Sequence, residues 1–276
     1  MCGIAGFASL DGQSTPDAPR RLAAMSRLIA HRGPDGSGQW VAPSADVGLA
    51  HRRLAIIDLS PGGEQPMLGP NGLVMVYNGE VYNFLELREE LRSRWDFRTK
   101  SDSEVILAAY SVWGEACLEK LRGMFAFAIW DPATKSLFCA RDRFGIKPFY
   151  YTVVGGRFYF ASEIKALAPI LPDIATDPLA LVEYLTFQYA VTDRTLFEGV
   201  TQLSPGHCVT VKSGEIKVRK WWDVRYEHRH GQTPEQWAEE LRALTDDSVG
   251  VHLRADVQVG AYLSGGVDSG LMTLLA

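Results

Sequence analysis

Met1-Cys2-Gly3-Ile4-Ala5-Gly6-Phe7-Ala8-Ser9 opens the chain. Residues 2–9 are small and apolar, the composition of a buried first strand. A thiol stands directly behind the initiator methionine. Removing a methionine before so small a residue leaves an α-amine and a thiol on one residue, a nucleophile with its own base. The amine, with an ordinary pKa of about 7.7–8.0, is partly unprotonated near neutrality. The thiol, near ~8.5, is barely ionised there, but its proton has only to reach the neighbouring nitrogen, directly or through one water. Taken alone, the dipeptide equally fits an ordinary cysteine at a frayed terminus; the segments that follow decide.

The chain has 276 residues, enough for about two domains. Hydrophobic residues make up 46% and charged ones 22%, an ordinary globular balance. A net charge of −5 argues against nucleic-acid binding as the main business. Cys2, Cys117, Cys139 and Cys208 are widely spaced and form no CxxC, so neither a disulfide framework nor a zinc site is indicated. No basic-then-apolar leader and no apolar run of membrane-spanning length stands out. A reduced, cytoplasmic setting is expected, one that suits a reactive thiol.

Asp17 opens a helical pattern with Leu22, Met25 and Ile29 on one face, closed by the turn cluster 31–36 (HRGPDG). Residues 47–57 and 72–77 read as strands, the second running into Asn78-Gly79-Glu80. Asn83 with Glu86, and Ser101 with Glu104, have capping-box spacing ahead of helical runs. Residues 124–131, 136–141, 148–154 and 157–161 are strands rich in aromatic and β-branched residues, and Gly155-Gly156 makes a hairpin turn. A helix follows Asp177-Pro178, and two strands, 207–212 and 216–221, turn at Ser213-Gly214. The first ~220 residues therefore predict antiparallel sheet with helices outside it, an α+β layering. Residues 226–232 form a polar linker. Thr233-Pro234-Glu235-Gln236 then starts a helix over 233–254, with Trp237, Leu241, Leu244 and Val251 as its buried face. A strand over 257–263 leads into Ser264-Gly265-Gly266-Val267-Asp268-Ser269.

In order along the chain stand MCGIAGF, HRGPDG, HRRLAIID, YNGEVYN, SDSE, RDRFGIKPFYY, ASEIKAL, LSPGH and LSGGVDS. Each is weak alone; together they resemble the bacterial glutamine-hydrolysing asparagine synthetase family, over essentially the whole chain. The resemblance implies a class II glutamine amidotransferase domain over 2–221. Its fold would be that of the N-terminal-nucleophile hydrolases, an αββα sandwich of two antiparallel sheets. Residues 222–276 would be a linker and the opening of an α/β ATP-pyrophosphatase-type synthetase domain.

For the first domain the resemblance implies Cys2 as nucleophile, with Asn78 and Gly79 as the oxyanion hole. The chemistry agrees, since a side-chain amide and a backbone N–H aimed at a developing oxyanion stabilise it. The other reading of Asn-Gly is a type I′ hairpin turn. Glutamine carries an α-carboxylate and an α-ammonium. A guanidinium pairs bidentately with a carboxylate, which suits Arg53; spacing does not choose between Arg52 and Arg53, and the RLAI match does. Asp102 and Glu80 are candidates for the ammonium and amide ends, and the backbone at Leu54, Ala55, Ile56 and Ile57 is implied to line the pocket. Surface charge and a helix-dipole carboxylate are the plainer readings of Arg53 and Asp102. His31 and His51, the serious histidine candidates for a dyad, lack a nucleophile-base signature and read as structural. His228 and His230 are not read as a metal site, and Cys117, Cys139 and Cys208 read as small core residues.

Ser264–Ser269 lacks the lysine of a Walker A loop. Glycines ahead of a helix N-terminus do suit phosphate, and the resemblance implies a pyrophosphate-binding loop: Ser264, Gly265, Gly266, Asp268 and Ser269 at the phosphates of ATP, Tyr262 and Leu263 near adenine, and Asp268 at Mg²⁺. A Gly-Gly turn before a helix is the alternative. Glutamine hydrolysis itself needs no cofactor. Some 55 residues after residue 221 are too few for a doubly wound domain of about 100–150, so a longer protein is expected, with L-aspartate and ATP as further substrates and a homodimer admitted at full length. Three rivals share these motifs: amidation of another carboxylate such as a sugar acid or envelope precursor, a non-catalytic glutamine-sensing or scaffold domain, and a free-standing glutaminase.

Overall fold

The computed structural model describes residues 1–227 and 231–276. His228 and His230, not read as a metal site, thus lie outside the described residues. In chain order the elements are β1 (Gly3–Ser9), α1 (Ala18–Leu28), β2 (Gly36–Val41), β3 (Val47–Arg53), β4 (Met67–Leu68), β5 (Val74–Val81), α2 (Phe84–Leu91), α3 (Asp102–Trp113), α4 (Cys117–Lys120), β6 (Gly123–Asp131), β7 (Ser136–Arg141), β8 (Tyr150–Val154), β9 (Arg157–Ala161), α5 (Pro178–Phe187), β10 (Thr201–Gln202), β11 (His207–Lys212), β12 (Glu215–Lys220), α6 (Pro234–His252) and α7 (Val267–Leu275), with short 3₁₀ turns between some of them.

The strands make two antiparallel sheets, ordered β10-β8-β9-β1-β3-β2 and β12-β11-β7-β6-β5-β4. Side-chain alternation stacks them. In β1, Ile4 and Ala8 join the core between the sheets, while Ala5 and Phe7 pack on the other face with Leu22, Met25 and Ile29 of α1. In β5, Val74 and Val76 face the first sheet, and Met75, Tyr77 and Val81 face α2 and α3. Three apolar cores thus separate four layers, helix–sheet–sheet–helix. The α+β layering read from the sequence is the observed one.

Several local expectations are corrected. The 47–57 strand stops at Arg53, because the Leu54 backbone turns to the Cys2 sulfur. The 72–77 strand instead runs on to Val81, so Asn78-Gly79 lies inside a paired strand and is no hairpin turn. The strand β2, within and beyond the HRGPDG turn cluster, was not anticipated; it is an edge strand whose residues are only partly covered. Asn83 caps nothing: its side chain accepts from Arg122 N–H and donates to the Lys120 carbonyl. Ser101 does cap α3, accepting from Ser103 N–H, but Glu104 turns away to the Arg98 and Thr99 N–H groups. Residues 257–263 form no strand. After residue 222 the regular elements among the described residues are α6 and α7. The box at Thr233 and Gln236 is formed, yet Trp237, Leu241 and Leu244 are 42%, 66% and 60% exposed and only Val251 is buried. Periodicity marked the apolar face of α6 correctly; burial also needs a surface to lie against. No described helix is long and apolar enough to cross a membrane.

Candidate active site

The register of β1 on β3 pairs Gly3 with Arg52 and so brings Cys2 beside Leu54. The half-buried sulfur sits 3.5 Å from the Leu54 carbonyl and 3.4 Å from its N–H. Arg32 fixes the same residue from behind: its Nε donates to the Cys2 carbonyl at 2.8 Å and its Nη1 to Glu163 at 2.9 Å. His31 and Lys165 also reach Glu163. Burial would raise that carboxyl, but these three cations and donors hold it down to about 2.

The second sheet supplies the opposite wall. His51 Nε2 in β3 donates to the Tyr77 carbonyl in β5 at 3.0 Å, tying sheet to sheet. Burial drives this imidazole down to about 3, so it is neutral and structural, as read. Along the free edge of β5, Tyr77 N–H donates to Gln65 Oε1 at 2.6 Å and Val81 N–H to Asp102 Oδ2 at 3.0 Å. Gly79 N–H lies between them on that edge. Phe125, opposite Gly79, uses both its backbone groups on Asp142, so this pair is not a hydrogen-bonded one. A Cβ on Gly79 would collide with the Met124 carbonyl, which explains glycine here. Both polar atoms of the Asn78 side chain are buried and have no hydrogen-bond partner among the described residues. Such orphans are rare enough to demand a cause.

Cys2, Arg53, Leu54, Ile56 and Ile57 line one cleft of about 180 Å³ together with Asn78, Gly79, Glu80 and Asp102. Ala55 is turned away, its N–H donating to Asp35 at 2.9 Å. The Arg53 guanidinium donates to the Ser60 carbonyl at 2.9 Å and to the Asp58 carbonyl. Each terminal nitrogen keeps a second N–H for another acceptor. A Cβ on Gly63 would run into that guanidinium. Asp102, at the N-terminal turn of α3, also accepts from Tyr77 Oη at 2.7 Å. Burial raises its carboxyl, against the Val81 and Tyr77 hydrogen bonds. Burial likewise raises Glu80, with Lys147 opposing.

Burial is also the main influence on the reacting groups. It pushes the Cys2 thiol up, against its Leu54 hydrogen bond and the terminal ammonium, and pushes the amine of Met1, which here precedes Cys2, down. Burial at this end of the cleft thus favours a neutral thiol and a neutral amine, the direction that suits transfer of a proton from sulfur to nitrogen.

Tyr77, Gln65 and Lys147 were missed in the sequence. Lys147 lines the cleft, is 6% exposed, and its ammonium has no hydrogen-bond or ion-pair partner among the described residues. Asp142 places it, by accepting from the N–H groups of Phe144, Ile146 and Lys147. The signal was a lysine inside the otherwise apolar GIKPFYY run.

A family model for the glutamine amidotransferase domain matches residues 1–222, and one for asparagine synthase matches residues 240–276. The chain belongs to the glutamine amidotransferase domain family. The family's two-sheet layering recurs in the glutamine phosphoribosylpyrophosphate amidotransferase of B. subtilis, with a TM-score of 0.61 at 19% identity over 80% of this chain and 49% of that one. The fold is thus that of the N-terminal-nucleophile amidotransferases. The glutamine-hydrolysing asparagine synthetase 1 of Bacillus subtilis is 40% identical over all of this chain and 44% of its own length. A putative glutamine-hydrolysing asparagine synthetase of Mycobacterium tuberculosis is also 40% identical, over all of this chain and 46% of its own length. The chain spans less than half the length of these curated relatives.

The second group of expected residues lies outside the amidotransferase cleft. Residues 264–268 are exposed and Ser269 is half-buried; Gly265 has φ 83 and Gly266 precedes α7, whose first turn holds Asp268. Ser264 and Ser269 bond each other at 3.0 Å. Tyr262 and Leu263 are exposed. A glycine turn on a helix N-terminus fits an anion. Among the described residues no group of three or more carboxylate, histidine or cysteine ligands gathers around Asp268 or elsewhere.

Proposed function

We propose that this amidotransferase domain, assigned residues 2–221, hydrolyses L-glutamine to glutamate and ammonia through a thioester on Cys2. The Cys2 sulfur attacks the side-chain amide carbon, and its proton passes to the α-amine freed by loss of Met1. Asn78 Nδ2 and Gly79 N–H take the oxyanion. The amine returns the proton to the departing ammonia, and water then cleaves the γ-glutamyl thioester. Arg53 takes the substrate α-carboxylate. Asp102 takes the α-ammonium, and Glu80 stands at the amide end. The observation that carries this reading is the orphaned, buried Asn78 amide in the same cleft as the Cys2 sulfur.

Residues 222–276 would begin a synthetase domain. With the rest of a longer protein it would use the ammonia to amidate L-aspartate to L-asparagine at the expense of ATP in the cytoplasm. Ser264–Ser269 would hold ATP phosphates. Asp268 would give Mg²⁺ one carboxylate, the phosphates and water giving the rest, as is usual for this ion. The 40% identity to glutamine-hydrolysing asparagine synthetases supports aspartate over another acceptor.

The test is glutamine turnover by the wild-type protein and Cys2→Ala, with intact mass read after an electrophilic glutamine analogue. Cys2→Ala should lose about 10⁴-fold or more in kcat. The analogue should add once, to Cys2, in protein lacking Met1. Labelling of another side chain, or full activity with Met1 retained, would refute the assignment.

A further inference from the structure

The segment that leads from α6 to the Ser264–Ser269 turn does not hang free of the glutamine cleft. Arg254 donates to the Tyr82 carbonyl at 2.6 Å and pairs with both oxygens of Glu86 at 2.6 and 2.8 Å. Two residues on, Asp256 meets the loop that follows β3. Its N–H donates to the Ile56 carbonyl at 2.9 Å, and its Oδ2 accepts from Asp58 N–H at 2.7 Å. The two bonds run in opposite senses across residues 56 and 58, so they fix the loop in both position and rotation. Nothing in the catalytic scheme uses Asp256.

The loop it holds is the irregular wall of the cleft. Leu54, Ile56 and Ile57 line the cavity, without a strand ladder to keep them there. Asp58 adopts φ 57, in the left-handed region that side chains other than glycine seldom occupy. Such a residue stays put only when its surroundings over-determine it. Its carboxylate does part of this, accepting from Ser60 N–H and Lys100 N–H. Asp256 does the rest by taking its N–H. The Asp58 carbonyl, so aimed, accepts from Arg53 Nη2. A chain of two hydrogen bonds therefore runs from Asp256 through Asp58 to the guanidinium at the α-carboxylate end of the cleft.

We propose that Asp256 is a positioning residue for glutamine, through which the segment carrying the Ser264–Ser269 turn sets the shape of the glutamine cleft. The proposal rests on the reading of the cleft as a glutamine site. It places the control of substrate affinity on the far side of the linker, in a residue that touches no substrate. With the Asp256 carboxylate gone, the backbone bond to the Ile56 carbonyl stays but the Asp58 N–H turns to water, the loop gains conformers, and Arg53 loses its fixed direction. The Cys2 sulfur and the Asn78 amide, held by the two sheets, stay where they are.

The experiment uses the full-length protein and follows hydrolysis against glutamine concentration. Asp256→Ala should raise KM about tenfold, the weight of a hydrogen bond to a charged acceptor, with kcat changed by less than about threefold. The rate at which iodoacetamide, which needs no amino-acid pocket, alkylates Cys2 should not change. Asp256→Asn keeps an oxygen acceptor for Asp58 N–H and should restore most of the lost affinity. Hydrogen exchange of the Asp58 amide, read in the same proteins without substrate, should be faster in Asp256→Ala only. An unchanged KM in Asp256→Ala overturns the proposal, as does an equal fall of kcat and of Cys2 alkylation in both variants, which would mean general loss of structure. A wild-type protein that turned over no glutamine would instead refute the glutamine reading, and the Asp58 amide would still report on the clasp: unaltered protection in Asp256→Ala overturns it independently.

Discussion

Leu22, Leu49 and Leu87, in the sandwich, are each under 5% exposed; Leu241, Leu244 and Leu274, on the helices after Thr233, are 66%, 60% and 86% exposed. Both regions obey helical or strand periodicity. The sandwich satisfies it because each sheet has two faces and a layer for each. The later helices satisfy it on paper only, since no described layer covers them. Where this second region meets the first, Val251 is buried and the Tyr82 and His252 ring centroids lie 3.9 Å apart, but the directional contacts are polar: Arg122 with Asp247, Arg254 with Glu86, and Asp256 with the 56–58 backbone. The buried region owes its shape to apolar packing, and the contact between regions owes its register to hydrogen bonds. Oily surface says how much must be covered; donors and acceptors say where.

The sharpest way to break this comparison is one substitution made twice. Leu49→Ala, in the core between the sheets, should cost about 2–5 kcal/mol of stability, as the loss of a fully buried leucine does. Leu241→Ala should stay within about 0.5 kcal/mol in this 276-residue chain, because most of its surface is already wet. Urea unfolding with matched slopes reads both. A large loss at Leu241 would mean that the α6 face is covered after all, and the contrast would fall.

The sandwich has one buried group that packing does not explain, and it gives the next largest effect. Asn78→Ala should lower kcat by about 10²–10³-fold, the usual loss for one oxyanion donor, with KM nearly unchanged. The melting midpoint should move by less than about 4 °C, since the amide has no partner to lose. Steady-state kinetics beside a thermal scan reads it. A collapse of the midpoint with no separate effect on kcat would make Asn78 a packing residue.

How much of this was legible in the sequence divides along the same line. The first strand, α1 and the β6–β9 run could be read from composition and alternation, because in the sandwich those rules meet the layers they presuppose. Cys2, Asn78, Gly79, Arg53 and Asp102 could be placed on one site because their chemical types recur in a fixed order; the structure brings them to a single cleft. What was not legible depended on partners far off in the chain. Asn83 had the spacing of a cap and was taken by Arg122 and Lys120. Residues 257–263 had the composition of a strand and form none. Tyr77 alternates away from Asn78 along β5, yet its hydroxyl reaches Asp102. Asp256 lies in none of the motifs, and its partners at Ile56 and Asp58 stand far back in the chain.

Lys147 gives the smallest effect and the finest test of what the sandwich tolerates inside it. Burial lowers its pKa, while Glu80 and Cys2 oppose that fall and favour the charged form. Its charge acts on the reacting pair in one direction. After burial, Arg32 and Lys147 are what favour the neutral amine of Met1, against Cys2, and Lys147 also lowers the thiol; the Cys2 amine freed by loss of Met1 should feel the same charge. Removing that charge therefore raises the pKa of both groups. The rate climbs with pH as the amine loses its proton, so the acid limb must move to higher pH. Lys147→Met should shift the limb of kcat/KM upward by about half a pH unit, the scale of one neighbouring charge in a partly wet cleft. At pH values on that limb the rate drops about threefold; well above it the two proteins converge. Lys147→Arg keeps the charge and should leave the limb in place. An unshifted limb in Lys147→Met, or an equal shift in Lys147→Arg, would show that the ammonium fills space in the cleft without tuning the amine.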